Sequence, residues 1–438
     1  MRIACVHVPQ FALQCITRND PTLRGAAVCV VGHGGPESRP ALGSPIVTAC
    51  SRAAWALGVR LGMTAAAARL LSPDLRIVTI DPHVERETTR AIADVLMSAS
   101  KLVDIGGRVG TSGAHLAVYC EVPVKTRGGS YGDRLVELLD GLGLSARIGI
   151  ADDRFTAWVA ASQPAGNQRD HDPGVVTVPR GGSAAFLAPL PLSLLAISPE
   201  VQHMLESLGV TNLGDFAALP APTVARPIDR AVGSPTIDYQ ALARGDSGHH
   251  LRPYAPEAPI SEQVVASESF SGPAAIALVA GRLAMRLDGR QRLAARLEVT
   301  VAGPSGERTL PAIDVRVASA SDLADALAPA FDAGPIWRLR VTITGEAILG
   351  APDAATAPVV AEHAPHTHGS MVAALTLALS SPGSGDLFRN VGHATAIRDE
   401  RRDAHLRSRH GTLAKRRRRQ LLRGGDVAQP RLFSSGID

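Results

Sequence analysis

The chain has 438 residues, 45% hydrophobic and only 3% aromatic, with a formal net charge of +4. That length exceeds one core and predicts roughly two to four domains in a soluble, globular protein. The five cysteines (Cys5, Cys15, Cys29, Cys50, Cys120) form no CxxC pair, which excludes a zinc ribbon and a disulfide framework and predicts buried reduced thiols in the cytoplasm. No signal peptide is expected, because Pro9 and Gln10 interrupt the apolar run after Arg2, and the apolar segment Met371 to Ser381 is too short to cross a bilayer.

Residues 1–165 alternate strand-like and helix-like patterns. RIACVHV, AAVCVV, PIVTAC and RIVTI read as strands, and SRAAWALGVRLGMTAAAARLL between them has helical composition broken at GVRLGM. ERETTRAIADVLMSAS and DRLVELLDGLG space their apolar residues three and four apart and predict amphipathic helices. Two strands follow, AHLAVYCEV and SARIGIA, then a helix around FTAWVAAS. The pattern predicts an α/β domain with an inserted, largely helical piece.

GNQRDHDPG reads as a linker, and 188–220 as helical. There Ser198-Pro199-Glu200 starts a helix with Ser as N-cap and Pro at the first helical position, Gly209 ends it, and Asn212 with Asp215 starts the next. A second linker, RGDSGHHLRPYAPEAP, precedes a small α/β unit over 261–349. From Gly350 onward the composition predicts a mostly disordered tail. Between Arg389 and Arg423 it carries 12 Arg/Lys against 3 Asp/Glu, leaving the rest of the chain net acidic. A basic tail of this kind predicts an anionic partner such as nucleic acid.

The stretch ACSRAAWALGVRLGMTAAAARLLSPDLRIVTID resembles the fingers segment of Y-family (UmuC-like) translesion DNA polymerases. The resemblance continues in order over some 350 residues, through RIGIADDRFTAWVAASQP (palm) and LESLGVTNLGDFAALP (thumb helix-hairpin-helix) to the 261–349 unit (little finger). It implies a palm-like domain over 1–20 and 81–165 with a ferredoxin-like sheet, and a fingers-like insertion over 21–80. A thumb with a helix-hairpin-helix over 166–250 and an α/β little finger over 258–350 follow, before a flexible basic tail over 351–438.

The resemblance also fixes what should stand at the catalytic positions. Such polymerases hold two Mg²⁺ ions with carboxylates. Where the family's first strand ends Asp-x-Asp-x-Phe, this chain has His7, Val8, Pro9, Gln10 and Phe11. Proline offers no ligand, and imidazole suits a hard cation poorly. The family's Asp-Glu pair falls on Ser112 and Gly113, while Asp104 and Glu121, the nearest spare carboxylates, miss the expected face. The family's triphosphate contacts are lost as well, their positions being held here by Arg52, Trp55 and Trp158. Emptied sites on a kept scaffold resemble the ImuB-type members of bacterial mutagenesis complexes. That resemblance implies a non-catalytic hub for DNA, the β sliding clamp, a RecA-like accessory protein and an error-prone C-family polymerase, with no cofactor and no metal.

Near the C-terminus, AQPRLFSSGID matches a Gln-x-x-Leu-Phe clamp-binding peptide, with Gln429 at one subsite and Leu432 and Phe433 in an apolar pocket. SGDLF (Ser384 to Phe388) is a lesser candidate. Arg416, Arg417, Arg418 and Arg419 are placed to follow phosphate, or merely keep the tail soluble. The turn Gly209-Val210-Thr211 is expected to offer backbone N–H groups and a helix N-terminus to one DNA phosphate, or to be plain structure. His249, His250, His363, His366 and His368 lack Cys or carboxylate partners and read as solvated loop residues. Two rival readings stand: an active Y-family polymerase with relocated carboxylates, and a DNA-repair protein of this fold with no clamp role.

Overall fold

The computed structural model describes residues 1–32, 45–109, 114–124, 128–163, 174–220, 238–247, 251–257, 259–303, 306–330 and 336–349, all within one unit, Met1–Arg389. Its first strand, β1 (Ile3–Val8), is buried along its whole length. The chain then leaves for α1 (Phe11–Asn19) and a small sheet of β2 (Val28–Gly32), β3 (Ile46–Cys50) and β4 (Arg76–Thr79), ordered β3-β2-β4. The short helices α2 (Arg52–Ala56) and α3 (Ala65–Arg69) lie between β3 and β4, each started by a side-chain cap, Ser51 and Thr64. The sequence predicts a largely helical insertion here; the piece is instead built on this three-stranded sheet, with only two short helices between its strands.

The chain returns through α4 (Pro82–Leu96) to β5 (Val103–Val109), then β6 (His115–Glu121), α5 (Gly128–Gly141), β7 (Arg147–Ala151), α6 (Arg154–Ser162) and β8 (Gly174–Thr177). The sheet order is β5-β6-β1-β7-β8, with β1 antiparallel to both β6 and β7. Counting β1, β5, β6 and β7 as strands one to four gives β-α-β-β-α-β in the order 4-1-3-2, the ferredoxin-like arrangement. Alternation along β1 builds two cores. Ala4, Val6 and Val8 face α4 and α5, while Ile3 and Cys5 face α6. The α6 backbone lies directly on β7, because a Cβ at Gly149 would meet Ala157 O.

β5 was not among the expected strands. Asp104, Gly106 and Gly107 interrupt its apolar pattern, yet each has a reason to be there. Asp104 pairs with buried Arg154 at 3.0 Å, and Gly106 lies under the Tyr119 ring where any Cβ would clash. The strand bulges between Asp104 and Gly107, and Gly107 takes φ 109.

A helical segment follows: α7 (Ser183–Leu187), α8 (Pro199–Ser207), α9 (Leu213–Ala218) and α10 (Tyr239–Ala243), around Leu187, Leu192, Leu205, Leu213 and Phe216. The second α/β unit comprises β9 (Ile260–Phe270), α11 (Gly272–Arg290), β10 (Arg292–Gly303), β11 (Gly306–Thr309), β12 (Ile313–Val317), α12 (Ala320–Leu327) and β13 (Ile336–Ile348). Its sheet is ordered β11-β10-β13-β9, with β12 on β10.

This second unit is fastened to the first by buried charge. Arg286 and Arg290 of α11 both bond Asp94 of α4, Arg286 also bonds Glu262, and Glu262 receives Arg18 of α1 at 2.6 Å. All of these groups are buried. Burial alone raises the Glu262 pKa, but Arg18, Arg286 and Arg282 outweigh it and hold the carboxyl below its usual range. A network of this kind adds little net stability over an apolar contact, but removing one member strands the others. The two helices cross at Gly289, where a Cβ would stand 1.8 Å from Asp94 O.

Candidate functional site

The end of β1 carries the chemistry that the sequence singles out. His7 is 4% exposed, and its cross-strand partner on β7 is Arg147, itself 6% exposed. On the other side, the ring of His115 lies 5.1 Å from that of His7. Among the described residues the buried His7 Nδ1 has no hydrogen-bond partner. Burial, then His115, then Arg147 drive the His7 pKa down to about 3, so the ring is neutral at physiological pH.

Beyond the strand, Pro9 leads into Gln10, which adopts a left-handed conformation (φ 44, ψ 49) and donates its N–H to His115 Nδ1 at 3.2 Å. Phe11 N–H bonds Ala114 O at 2.8 Å, tying the start of α1 to the start of β6. The strand end is thus a neutral imidazole beside a permanent guanidinium. A pair of hard divalent cations needs converging anionic oxygens, and these residues do not fit that need. Of the spare carboxylates, Asp104 is occupied by Arg154 and by the Arg252 N–H at 2.9 Å, and Glu121 sits opposite Ile3 at the far end of the sheet. Among the described residues, no three His, Cys, Asp or Glu side chains are grouped to hold a metal. Ser112 and Gly113 lie outside the described residues.

A cleft of about 530 Å³ opens beside this strand end. It runs from Pro9 and Gln10 along one face of α1, past Ser51 and Arg52, to Arg24 and the α5–β7 loop around Gly143. Gln14 fixes the loop to α1 by donating to Pro9 O and Ser145 O and accepting from Ser145 N–H. Arg52 lines the cleft. Trp55 does not: it is half exposed on α2, with the Arg60 guanidinium stacked 4.1 Å over its ring. Trp158 does not either, because it packs against Phe155 at 5.8 Å on α6. Of the three supposed phosphate-contact positions, the structure brings one to the cleft.

Arg147 and His115 were not singled out in the sequence. Their significance rests on the β1–β7 and β1–β6 registers, which no local pattern encodes.

The helical hairpin forms as the sequence predicts, with Ser198 capping α8, Gly209 at φ +83, and Asn212 Oδ1 accepting Asp215 N–H at 2.8 Å. Its expected role as a phosphate-binding helix N-terminus falls on amides that are largely committed within the fold. The first amides of α9 are already used: Leu213 N–H by Leu190 O, Gly214 N–H by Ala188 O, and Asp215 N–H by the cap. Gly209 and Val210 donate back to α8, and the Val210 side chain is buried. Thr211 and exposed Leu208 form the outward tip. Gln429, Leu432, Phe433, Arg416 to Arg419, the Ser384–Phe388 segment and all the loop histidines from His249 to His368 named above lie outside the described residues.

Residues 6–162 match the model of the impB/mucB/samB family. DNA polymerase IV of Dehalococcoides mccartyi is 29% identical over 206 residues, covering 46% of this chain and 48% of that protein. Protein ImuB of Caulobacter vibrioides is 28% identical over 255 residues, covering 56% of this chain and 51% of its own. The chain therefore spans about half the length of these relatives. Among solved structures, the post-insertion binary complex of Dbh DNA polymerase is 15% identical, with a TM-score of 0.45, over 80% of this chain and 100% of that one. Among the described residues no helix is long and apolar enough to cross a membrane.

Proposed function

We propose, from the match of residues 6–162 to the impB/mucB/samB family model, that the chain is a non-catalytic, DNA-binding scaffold in DNA-damage tolerance. The observation that carries the reading is the inverted charge at the end of β1. His7, neutral, stands across from Arg147 where a polymerase of this family needs anionic metal ligands. Catalysis of nucleotidyl transfer by two metal ions requires both ions to be held. A guanidinium at that point repels them and favours phosphate instead.

In this reading the ferredoxin-like sheet is the palm, the three-stranded insertion the fingers, the helical hairpin the thumb and the second α/β unit the little finger. Together they form a surface for duplex DNA. The tail residues Gln429, Leu432 and Phe433 dock on the β sliding clamp, with Arg416 to Arg419 following the DNA backbone. An error-prone C-family polymerase and a RecA-like accessory protein complete the assembly. Tethering then raises the local concentration of the synthesising enzyme at the primer end without chemistry by this chain. A second reading, an active polymerase, is favoured by the similarity to DNA polymerase IV.

The test is a pair of titrations by fluorescence anisotropy, one with a primer–template duplex in EDTA and one with the β clamp. The scaffold reading predicts metal-independent DNA binding, and clamp binding lost when Gln429, Leu432 and Phe433 are all changed to Ala. DNA binding that requires Mg²⁺ would favour the polymerase reading. Clamp binding unchanged by the triple substitution would remove the tail from the account.

A further inference from the structure

The cleft has a sulfur at its edge. Cys50, which ends β3, lines it beside Ser51 and Arg52, although the residue is only 4% exposed. Its cross-strand partner on β2 is Cys29, which is wholly buried. Ser51 N–H donates to Val28 O at 2.8 Å, so the ladder bond falls on the flanking positions and Cys29–Cys50 is a non-hydrogen-bonded pair. In such pairs the Cα atoms stand about 4.5 Å apart and the side chains come closest, inside the range that a disulfide spans. Both side chains lie on one face. Cys29 and Cys50 belong to the cluster with Val47, Ala54 and Val59, whereas their neighbours Val28, Val30 and Ala49 belong to the cluster on the other face. The remaining buried thiols are placed differently: Cys5 stands opposite Tyr119 and Gly149, Cys120 opposite Ala4 and Val103, and Cys15 is on α1.

We propose that Cys29 and Cys50 are a redox modification site, a dithiol that peroxide converts to a cross-strand disulfide on the three-stranded sheet. The Cys50 thiolate, the one on the cleft, attacks a peroxide oxygen and breaks the O–O bond, leaving a sulfenic acid and hydroxide. The Cys29 thiolate then attacks Cys50 Sγ and expels the sulfenic oxygen as a second hydroxide. The two thiol protons convert both hydroxides to water, so two thiols and one peroxide give one disulfide and two waters. Burial raises both thiol pKa values; proximity to Cys50 raises that of Cys29 further, and Arg69 and Arg60 oppose the rise at Cys29 and Cys50 respectively. The resting dithiol is therefore protonated, and reaction runs through its minor thiolate fraction. The bond would join β2 to β3 at the root of α2. Ser51, next in the chain, caps α2 and also bonds Ala26 O and Val28 N–H, and Arg52 follows it to the cleft. Oxidation thus fixes the wall of the cleft that presents Arg52.

The experiment uses the full chain without nucleic acid or partners, and so is independent of the scaffold reading. Reduced protein is exposed to hydrogen peroxide, unfolded in guanidinium with excess N-ethylmaleimide, digested without reductant and read by mass spectrometry. Trypsin cuts after Arg24 and Arg52 but not between Arg39 and Pro40, so both cysteines fall in one peptide, Gly25–Arg52. That peptide should be unalkylated and two hydrogens lighter than its reduced form. Cleavage at Glu37 should leave its halves joined until dithiothreitol is added, while Cys5, Cys15 and Cys120 are alkylated throughout. The oxidised chain should also melt at a higher temperature than the reduced one, a shift absent in Cys29→Ala. In that variant dimedone should trap a sulfenic acid at Cys50. Full alkylation of all five thiols after peroxide, a bond from Cys50 to any other cysteine, or irreversible over-oxidation of Cys50 while Cys29 stays a thiol would each overturn the proposal.

Discussion

Asp94 and Arg290 form a fork-to-fork pair: Arg290 Nε donates to Oδ1 at 2.9 Å and Nη2 to Oδ2 at 3.1 Å, across 196 positions of sequence. Arg286 adds a third bond to the same carboxylate at 2.8 Å, and Tyr254 O–H a fourth at 3.0 Å. One aspartate on α4 thus holds the second α/β unit against the first. Changing Asp94 to Ala leaves two buried guanidiniums short of their shared partner and is expected to cost about 3–5 kcal/mol. Urea denaturation followed by tryptophan fluorescence measures this. Arg290→Lys, which keeps the charge but loses the fork, should also destabilise, by less.

The crossing of α11 over α4 depends on Gly289. Any side chain there meets the Asp94 carbonyl, so Gly289→Ala must separate the helices or shift them. The expected result is faster proteolysis of the segment joining the two units, around residues 248–259, while each unit keeps its own core. Unchanged cleavage of that segment would show that the crossing tolerates a methyl group.

His7 makes stability depend on pH in a defined window. Its pKa is about 3 in the folded chain against about 6.5 unfolded, so the unfolded state takes up the proton first as pH falls. Stability should therefore fall as pH drops from about 6.5 toward 3, by roughly 1.4 kcal/mol per pH unit from this group, and be unaffected by it above that window. His7→Val removes the dependence. The clean comparison is the difference between wild type and variant from pH 6.5 to 5, measured by chemical denaturation.

At the helical hairpin, Asn212 caps α9 through its Oδ1 and donates its Nδ2–H to Asp215 Oδ2 at 2.7 Å. Asn212→Ala should cost about 1 kcal/mol, as for other N-caps, read as a lower thermal midpoint. Since the α9 amides are already bonded, DNA affinity should change little in this variant. A large loss of DNA affinity without a comparable loss of stability would place a phosphate contact at the hairpin.

Much of this architecture was legible in local patterns. The all-apolar run of β1, the Ser198 and Asn212 caps and the Gly209 turn each follow from chemistry within a few residues. β5 was not legible, because Asp104 and Gly106 are chosen by Arg154 and Tyr119, which are remote in sequence. α10 was hidden for a related reason: its short helix stands between stretches rich in Gly and Pro, and its burial depends on contacts with α9. The candidate site divided the same way. His7 and Pro9 stand out in the sequence once the family resemblance is drawn, whereas Arg147, which decides the charge there, enters through the β1–β7 register. Nothing local in the sequence sets the arginines of α11 apart, and only the packing shows them sealed against Asp94 and Glu262.

The most direct test of the central claim is a primer-extension assay. Purified chain is incubated with a primer–template duplex shown to be bound, all four deoxynucleotides, and either Mg²⁺ or Mn²⁺. The charge at the end of β1 predicts no extended primer above a protein-free control under either metal. Extension that scales with the chain and disappears on changing Arg147 or His115 would contradict it, and would make that strand end an active site built on different ligands.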